Sequence, residues 1–525
     1  MHRVLVSLLA LLAALALPHA PAQAAWLEAQ STNFVIYADD DEAELRELAQ
    51  RLERYHSAME LITGVDMLPP SPSNRVTIYV LSNWSEMRRL TGSQMIAGFY
   101  SARAGRPAAF VPAQRSGRRS DFNLTVLLHE YAHHFMISNS RFALPAWYGE
   151  GGAEFFASAR YNADGGMTLG LPAAHRFYEL YNARDVPLSW LLDPQARGDD
   201  GQRPYDNFYG KSWLLFHMLV FDPEYRGRMG AYLGALTSGQ TARQAADGQL
   251  GDMGELQQAL DDYATRPRML SMRFAPEQLE TGTITVRPMN PGEAEMMPLR
   301  VVSVRGVNRD QALELLGAMR AVAARYPWEA AVQDWLSEAE FDAGYDAEAI
   351  AAADAALAID PSRVNAYVQK GYALFRMADA VEEDQPARVA AYRAAAAPYL
   401  ALNAVENDHP LALYHYYLSF TQSGRTPGPS ARSGLEHAVE LAPFDWSLRL
   451  TLAEMYLSAD QIAEARHTLM PIAYAAHGGG LAERARTLID RIDSGPVTPG
   501  AGAELILLLH QAEDAASAGE PASES

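Results

Sequence analysis

Two histidines four residues apart, in a segment with helical spacing of apolar residues, most constrain what this chain can fold into. The segment runs from Leu127 to Phe135 and contains the pattern H-E-x-x-H, with His129, Glu130 and His133. On an α-helix, residues four apart lie on one face, so both imidazoles can bind one metal ion. The Glu130 carboxylate lies beside them, where it can hold a water molecule. The sequence therefore predicts a metal site on a helix.

The composition limits which metals and partners fit this site. The chain of 525 residues has no cysteine, so the ligands of any metal must come from histidine, aspartate or glutamate. Nitrogen and oxygen ligands of this kind favour zinc over magnesium or calcium. With 43 Lys and Arg against 64 Asp and Glu, the net charge is −21. A chain this acidic is a poor candidate for binding nucleic acid.

A second segment supplies a third ligand. It runs from Leu144 to Glu154, and sixteen residues separate His133 from Glu150. A catalytic zinc ion needs three protein ligands and one open position, and Glu150 is the natural third ligand on a helix that returns beside the first. Glu154 follows one helical turn later on the same face. Its carboxylate can accept the second N–H of a ligand imidazole and fix the tautomer of that ring.

The two segments together carry a resemblance. H-E-x-x-H followed by W-x-x-E-G-x-A-E resembles the gluzincin metallopeptidases, and within them the exported peptidase-MA-like domains that are sometimes joined to tetratricopeptide repeats. The resemblance implies an α+β zincin-like fold and Zn²⁺ bound by His129, His133 and Glu150. It also implies that Glu130 is the general base and that peptide bonds are the substrate.

A tyrosine further along extends the resemblance. The stretch Tyr209-Gly210-Lys211 is similar to the Y-x-K-G stretch of the aminopeptidase N family, in which the tyrosine stabilises the oxyanion. Tyr209 has two open interpretations, an oxyanion donor or a core aromatic residue on an apolar helix, and Tyr205 is a nearby competitor. The G-x-M-E-N motif of that family is absent, so aminopeptidase activity is not expected. His134 is expected to serve in packing or at the surface.

Periodicity predicts the elements around the site. Apolar spacing predicts helices over 42–63, 121–137 and 146–160, and further helices between 174 and 263. Runs at 33–37, 75–81 and 108–111 are typical of strands. The last of these is expected to pair with an extended peptide substrate at a sheet edge. Between 266 and 308, Thr283–Arg287 and Leu299–Val304 alternate like paired strands, which predicts a small β linker.

From about residue 310 the chain is alanine-rich, and its pattern resembles tetratricopeptide repeats. Residues 330–376 fit best, with Leu336, Gly344 and Ala356 in phase and Pro361 ending the first unit. Each such unit leaves one face apolar, and stacking the units buries these faces. The alternative is an unrelated helical bundle, because alanine-rich helices match this pattern easily.

The N-terminus predicts export. A charged start, an apolar run over 4–17 and the A-x-A pattern Ala22-Gln23-Ala24 are typical of a secretory signal peptide. The protein is expected to be periplasmic or secreted, without an integral membrane segment. The predicted organisation is a signal peptide over 1–24, a gluzincin-like domain over 25–265, the β linker over 266–308, tetratricopeptide-like repeats over 309–495, and a C-terminal helix with a flexible tail over 496–525.

Two functions follow from this organisation. The first is an exported zinc metallopeptidase that hydrolyses a peptide or protein substrate, with repeats that bind a protein partner. The alternative is a non-catalytic repeat scaffold in which the metal site is structural or vestigial. The complete set of His129, Glu130, His133 and Glu150 favours the first, because a structural site needs no general base.

Overall fold

The computed structural model describes residues 26–93, 98–113, 118–140, 144–193, 205–382, 385–474, 479–494 and 500–509, except for the side chains of 118–122. The expected signal peptide and the expected C-terminal tail beyond residue 509 lie outside these residues. Within them the fold is mostly helical, with two small sheets. None of the described helices has the length and apolar character needed to cross a membrane.

The strands of the described residues form one six-stranded and one three-stranded sheet. They are β1 (Leu27–Gln30), β2 (Phe34–Ala38), β3 (Val76–Leu81), β4 (Phe99–Ser101), β5 (Ala108–Pro112), β6 (Arg160–Tyr161), β7 (Met167–Leu169), β8 (Met272–Phe274) and β9 (Thr285–Pro288). The larger sheet has the order β4-β5-β3-β2-β1-β9, and β6, β7 and β8 form the smaller one. In the larger sheet β3 is parallel to both β2 and β5, and the other pairs are antiparallel. The strands predicted at 33–37, 75–81 and 108–111 are confirmed as β2, β3 and β5.

The helices of the first half pack on the two faces of the larger sheet or around the site. They are α1 (Glu42–Thr63), α2 (Trp84–Thr91), α3 (Arg118–Ser138), α4 (Ala146–Ala157), α5 (Phe177–Asn182), α6 (Leu188–Leu192), α7 (Phe208–Phe221), α8 (Arg228–Thr237), α9 (Ala242–Gln249) and α10 (Met253–Ala264). The Asp41 carboxylate caps α1 by accepting from Ala43 N at 2.8 Å. Leu45, Leu52 and Tyr55 are then buried along one face of α1, as their spacing predicts.

The second half is a succession of helices, each packed on the next. They are α11 (Pro291–Arg305), α12 (Arg309–Arg325), α13 (Ala330–Asp342), α14 (Asp346–Ile359), α15 (Val364–Asp379), α16 (Gln385–Val405), α17 (Pro410–Thr421), α18 (Pro429–Leu441), α19 (Trp446–Ser458), α20 (Ile462–Ala473) and α21 (Gly479–Ser494). Residues 501–509 are also helical. Gly371 lets α15 approach α16, because a Cβ there would lie 2.3 Å from the Tyr399 ring. This arrangement is the coarse architecture expected of a helical repeat region.

Both faces of the larger sheet contribute residues to apolar clusters. Its second face carries a row of stacked rings, Tyr37, Tyr79, Phe110 and Phe99, with neighbouring centroids 5.5, 5.1 and 4.6 Å apart. Tyr79 and Phe110 belong to the apolar cluster that also contains Met296 and Met297 of α11 and Trp335 of α13. Aromatic rings of this size contribute heavily to core stability. The first helices of the repeat region therefore complete the core of the sheet.

The β linker predicted over 266–308 is only partly correct. β8 and β9 exist, but they pair with β7 and β1 and so belong to the two sheets of the first half. The strand predicted over Leu299–Val304 is wrong, because these residues lie in α11. Pro291 starts this helix and the Glu293 carboxylate accepts from Asn290 N at 2.8 Å, which stabilises the first turn. Burial of Val301 and Val304 against the sheet then outweighs their preference for strands.

The prediction that 108–111 is a free edge is also wrong. β5 pairs with β3 on one side and with β4 on the other. The strand at this edge of the sheet is β4, whose three residues were not predicted as a strand. Strand addition by a peptide at this edge would therefore involve β4.

Polar contacts join the two halves of the chain. They link the Ser73 hydroxyl to Glu406 at 2.8 Å, Asn74 Nδ2 to Leu441 O at 3.2 Å, Ala104 N to Asp445 Oδ2 at 2.8 Å and Arg106 Nη1 to Glu338 Oε2 at 2.7 Å. Arg300 of α11 also bonds to the Glu338 carboxylate, which is 3% exposed. The repeat region is thus docked on the loops of the first half.

Candidate metal centre

The helix α3 presents two faces of different chemistry. Leu128, Ala132 and Phe135 are at most 1% exposed and anchor the helix in the main core. His129 and His133 lie on the other face, where their side chains are 16% and 17% exposed. The helix predicted over 121–137 is confirmed, with both imidazoles on one side of it.

The helix α4 carries Glu150 and Glu154, which are 0% and 1% exposed. Two glycines next to Glu150 allow α4 to pack closely. A Cβ on Gly151 would lie 2.3 Å from Ser212 O of α7, and a Cβ on Gly152 would lie 2.7 Å from Met136 Sδ of α3. The small residues of the segment therefore press α4 against its neighbours and place the Glu150 carboxylate beside the two histidines.

The three predicted ligands meet at one point. His129 Nε2 and His133 Nε2 are 3.1 Å apart. Glu150 Oε2 lies 3.5 Å from His129 Nε2 and 3.3 Å from His133 Nε2. Among the described residues, this is the group of at least three histidine or acidic side chains whose donor atoms cluster closely enough to hold one metal ion. The structure thus brings together residues that are up to 21 positions apart in sequence.

Glu154 lies on the far side of His129, where sequence reasoning placed it. Its Oε1 is 3.3 Å from His129 Nδ1, which leaves Nε2 of the same ring directed to the other two ligands. Burial opposes the charge of Glu154, but hydrogen bonds with His129, His175 and Arg176 hold the pKa of this carboxyl well below its usual range. Glu154 is therefore an anion that fixes the orientation of His129.

Two residues of this network were missed by sequence reasoning. His175 Nε2 lies 2.5 Å from Glu154 Oε2, and Arg176 Nη2 lies 2.5 Å from Glu154 Oε1. Both are in the short 3₁₀ helix Ala174–Arg176 before α5. His175 has no companion at ligand spacing, so no motif in the sequence points to it. The adjacent histidine and arginine in an acidic chain were the available signal.

The electrostatics of the site favour a cation between its acidic and imidazole groups. Burial opposes the charged form of His129, but hydrogen bonds with Glu150 and Glu154 outweigh this and raise its pKa to about 10. The histidine thus sits in a strongly negative environment formed by two buried carboxylates. An environment of this kind stabilises positive charge, whether on the imidazole or on a bound metal ion.

Tyr209 lies near the site, in the first turn of α7. Arg176 Cζ lies 4.6 Å from the centroid of its ring. Burial raises the pKa of Tyr209 to about 12, and the negative charge of Glu150 adds to this effect. Its ring also packs on the main core, so both interpretations of Tyr209 stay open. Tyr205, its competitor, is 61% exposed.

His134, which follows the second ligand, is a packing residue. It is 8% exposed, and its Nδ1 lies 2.6 Å from the Tyr100 hydroxyl of β4. Its ring is 4.9 Å from that of Phe444, which precedes α19. Burial lowers the pKa of His134 to about 3, so this imidazole is neutral. His134 therefore joins α3 to both the sheet edge and the repeat region.

A cavity of about 490 Å³ is lined by Glu130 and by two of the predicted ligands, His133 and Glu150. Another part of its wall comes from the repeat region. The lining residues from the repeat region are Pro443, Phe444, Asp445, Trp446, Ser447, Arg449, Pro471 and Leu481. This volume is typical of small-molecule and peptide side-chain sites. The general-base candidate Glu130 thus faces a cleft rather than bulk solvent.

No family model matches the chain, and no curated protein matches it. Among solved structures, a thermophilic TPR protein of Thermus thermophilus is similar, with 18% sequence identity and a TM-score of 0.32. The match covers 37% of this chain and 97% of that one. The repeat region is therefore defined by its own helices, α12–α21.

Proposed function

We propose that this protein is a zinc-dependent peptidase with the ligands His129, His133 and Glu150. The observation that carries the proposal is the spacing of the three donor atoms. Zinc binds histidine nitrogen and carboxylate oxygen at about 2.0–2.2 Å, so tetrahedral ligand atoms lie about 3.3–3.5 Å apart. Two of the donor–donor distances, 3.3 and 3.5 Å, lie in this range, and the third, 3.1 Å between the two imidazole nitrogens, lies just below it. Two imidazoles and one carboxylate leave a fourth position open.

The residues around the ligands have distinct tasks in this proposal. Zinc, when bound, supplies Lewis-acid chemistry that polarises the scissile carbonyl and acidifies a water molecule. Glu130 accepts the proton of the attacking water and delivers it to the leaving amine nitrogen. Glu154 holds His129 in the tautomer that presents Nε2 to the site. Tyr209 donates its hydroxyl hydrogen to the developing oxyanion.

The substrate would be an extended peptide lying in the cleft. Strand addition along β4 is the mode that the sheet offers, because β4 is an edge strand and its Tyr100 lines the cavity. No feature of the sequence is suited to binding a free α-amino group, so we propose an enzyme other than an aminopeptidase. We further propose that it acts after export.

The test combines metal analysis with hydrolysis. Purified mature chain is assayed for zinc and for cleavage of a peptide library, with and without chelator. Glu130→Gln is expected to retain zinc and to lose hydrolysis by about three orders of magnitude or more. Glu44→Gln, an exposed position on α1, is the matched control and should cleave like wild type. Undiminished cleavage by the Glu130 variant would remove this residue from the mechanism.

A repeat scaffold is the second candidate function, and the long run of packed helices from α12 to α21 supports it. In this case the full chain captures a protein partner and cleaves no peptide. Partner capture that persists in the His133→Ala variant, together with the absence of zinc-dependent cleavage, would favour the scaffold over the peptidase.

A further inference from the structure

The wall of the cleft that comes from the repeat region is built as a fixed surface. Asp445, between Phe444 and α19, accepts from Ser447 N at 3.0 Å and Leu448 N at 3.3 Å through Oδ1. Its Oδ2 accepts from Ala104 N of the first half at 2.8 Å. One carboxylate thus caps α19 and ties that helix to the loop after β4. The position of this wall relative to the three ligands is thereby set.

Arg449 stands in this wall, one turn into α19. Its side chain is buried, with the residue 9% exposed, and its Nε donates to Pro443 O at 2.6 Å. Among the described residues, no carboxylate oxygen lies within 4.0 Å of its nitrogens, and its terminal nitrogens make no hydrogen bond. Asp445, four residues earlier, is occupied in capping. Burial lowers the pKa of Arg449 to about 10, which still leaves it charged at neutral pH.

A buried guanidinium without an anionic partner is costly, because its charge is removed from water without compensation. Several half-buried arginines of the described residues, by contrast, each pair with a buried carboxylate, among them Arg106 with Glu338, Arg176 with Glu154 and Arg363 with Asp334. Arg449 differs from them by lining the cavity that contains Glu130, His133 and Glu150. An anion that enters this cavity would supply the missing partner.

We propose that Arg449 binds a carboxylate of the peptide substrate, so that the repeat region forms the specificity wall of the site. This inference rests on the proposed peptidase function. A guanidinium binds a carboxylate through two parallel hydrogen bonds, which gives both affinity and orientation. Phe444 and Trp446 line the same cavity as Arg449 and would contact an apolar part of the same substrate. The carboxylate is either the C-terminus of the peptide or the side chain of an aspartate or glutamate.

Binding is measured in the Glu130→Gln variant of the full chain with zinc, so that the measurement does not depend on hydrolysis. Two matched pairs of peptides separate the two sources of carboxylate. One pair differs only in a free C-terminal carboxylate against a C-terminal amide, and the other only in an internal Glu against Gln. Tighter binding of the carboxylate member in one pair, by about tenfold or more, is the expected result.

The second change is Arg449→Gln in the same background. It should abolish the preference for the carboxylate member while binding of the neutral member stays within about twofold. Arg449→Lys keeps the charge and should retain part of the preference. Arg466→Gln is the control, because Arg466 pairs with Asp493 at the surface and does not line the cavity.

Two results would overturn the inference. One is an equal affinity for both members of both peptide pairs. This result is obtained with the Glu130→Gln protein that still contains Arg449, so it holds even if the Arg449→Gln variant does not fold. The other is a preference that survives in a folded Arg449→Gln variant. Failure of the peptidase proposal alone would look different. The wild-type chain would then hold zinc and bind peptides with the carboxylate preference, but it would cleave none of them.

Discussion

The ring of Phe444 lies 4.9 Å from the ring of His134, the residue directly after the second ligand histidine. Phe444 belongs to the repeat region and His134 to the helix α3 that carries the site. Both residues line the cavity that also contains His133, Glu150 and Arg449. The repeat region is therefore a neighbour of the site itself, and changes in either half are expected to affect the other.

Loss of one ligand should remove the metal. His133→Ala is expected to lose stoichiometric zinc after dialysis, since the two remaining donors are too few for a stable site. Chelator should lower the melting temperature of wild type, because the metal binds only the folded chain, and should not change that of the variant. Metal analysis and thermal unfolding check both points. His437→Ala, at an exposed position, should behave like wild type; equal zinc in the two variants would contradict this ligand assignment.

Glu154, the hydrogen-bond partner of His129, should affect the zinc affinity of the site. Glu154→Gln weakens the hold on His129 Nδ1 and is expected to reduce zinc affinity about 10–100-fold. Competition with a fluorescent chelator measures the change. Glu179→Gln is the control, because Glu179 is also buried and pairs with Arg176 at 3.3 Å without contacting His129. A similar loss of affinity in both variants would show that the effect comes from Arg176 rather than from His129.

Close packing of α4 on α7 should be sensitive to one methyl group. Gly151→Ala places a Cβ 2.3 Å from Ser212 O, which is backbone and cannot move aside cheaply. We expect a loss of about 1–3 kcal/mol in the free energy of unfolding, and lower zinc affinity because Glu150 shifts. Denaturant unfolding measures the first effect. Gly149→Ala is the matched control, since a Cβ there meets nothing within 4 Å; it should be neutral or stabilising.

The contact between the two halves should give a pH dependence of stability. Burial raises the pKa of Asp342 to about 7, and the charge of Glu338 adds to this, while Arg106, Arg300 and Arg103 oppose it. The folded chain then binds this proton more tightly than the unfolded chain. Asp342 therefore lowers the free energy of unfolding progressively as the pH rises from about 4 to about 7. Above that range its contribution is constant.

Asp342→Asn should remove this decline. The variant is expected to be more stable than wild type at pH 8, by on the order of 1–2 kcal/mol, and close to wild type at pH 4. Denaturant unfolding at both values measures the difference. Asp490→Asn, an exposed position on α21, should show the wild-type pH dependence. A constant difference between wild type and Asp342→Asn at all pH values would mean that this proton is not bound on folding.

The sequence predicted the parts of the site that lie on long periodic elements. His129 and His133 are fixed by helical spacing alone, and Glu150 follows from the need for a third ligand. His175 could not be placed in this way, because it reaches Glu154 through a short 3₁₀ turn that has no period. Its position depends on the packing of α5 and α7, which is a tertiary effect.

The same distinction applies to the fold. The long helix α1 has a clear apolar face from Leu45 to Met59, and its limits agree with the prediction. The strands β1 and β4 have four and three residues, too few for a pattern of alternation to stand out. Leu299–Val304 was assigned to the wrong class because β-branched residues suit both a strand and the buried side of a helix.

The row of stacked rings on the second face of the sheet restricts where this chain can be truncated. A fragment that ends near residue 265 would lack β9 and would expose Tyr79 and Phe110 to water. Exposed aromatic surface on an open sheet invites self-association. The smallest piece that can be purified and assayed is therefore expected to extend beyond the predicted boundary, at least through α13, and a fragment that ends before the repeats should be prone to aggregation.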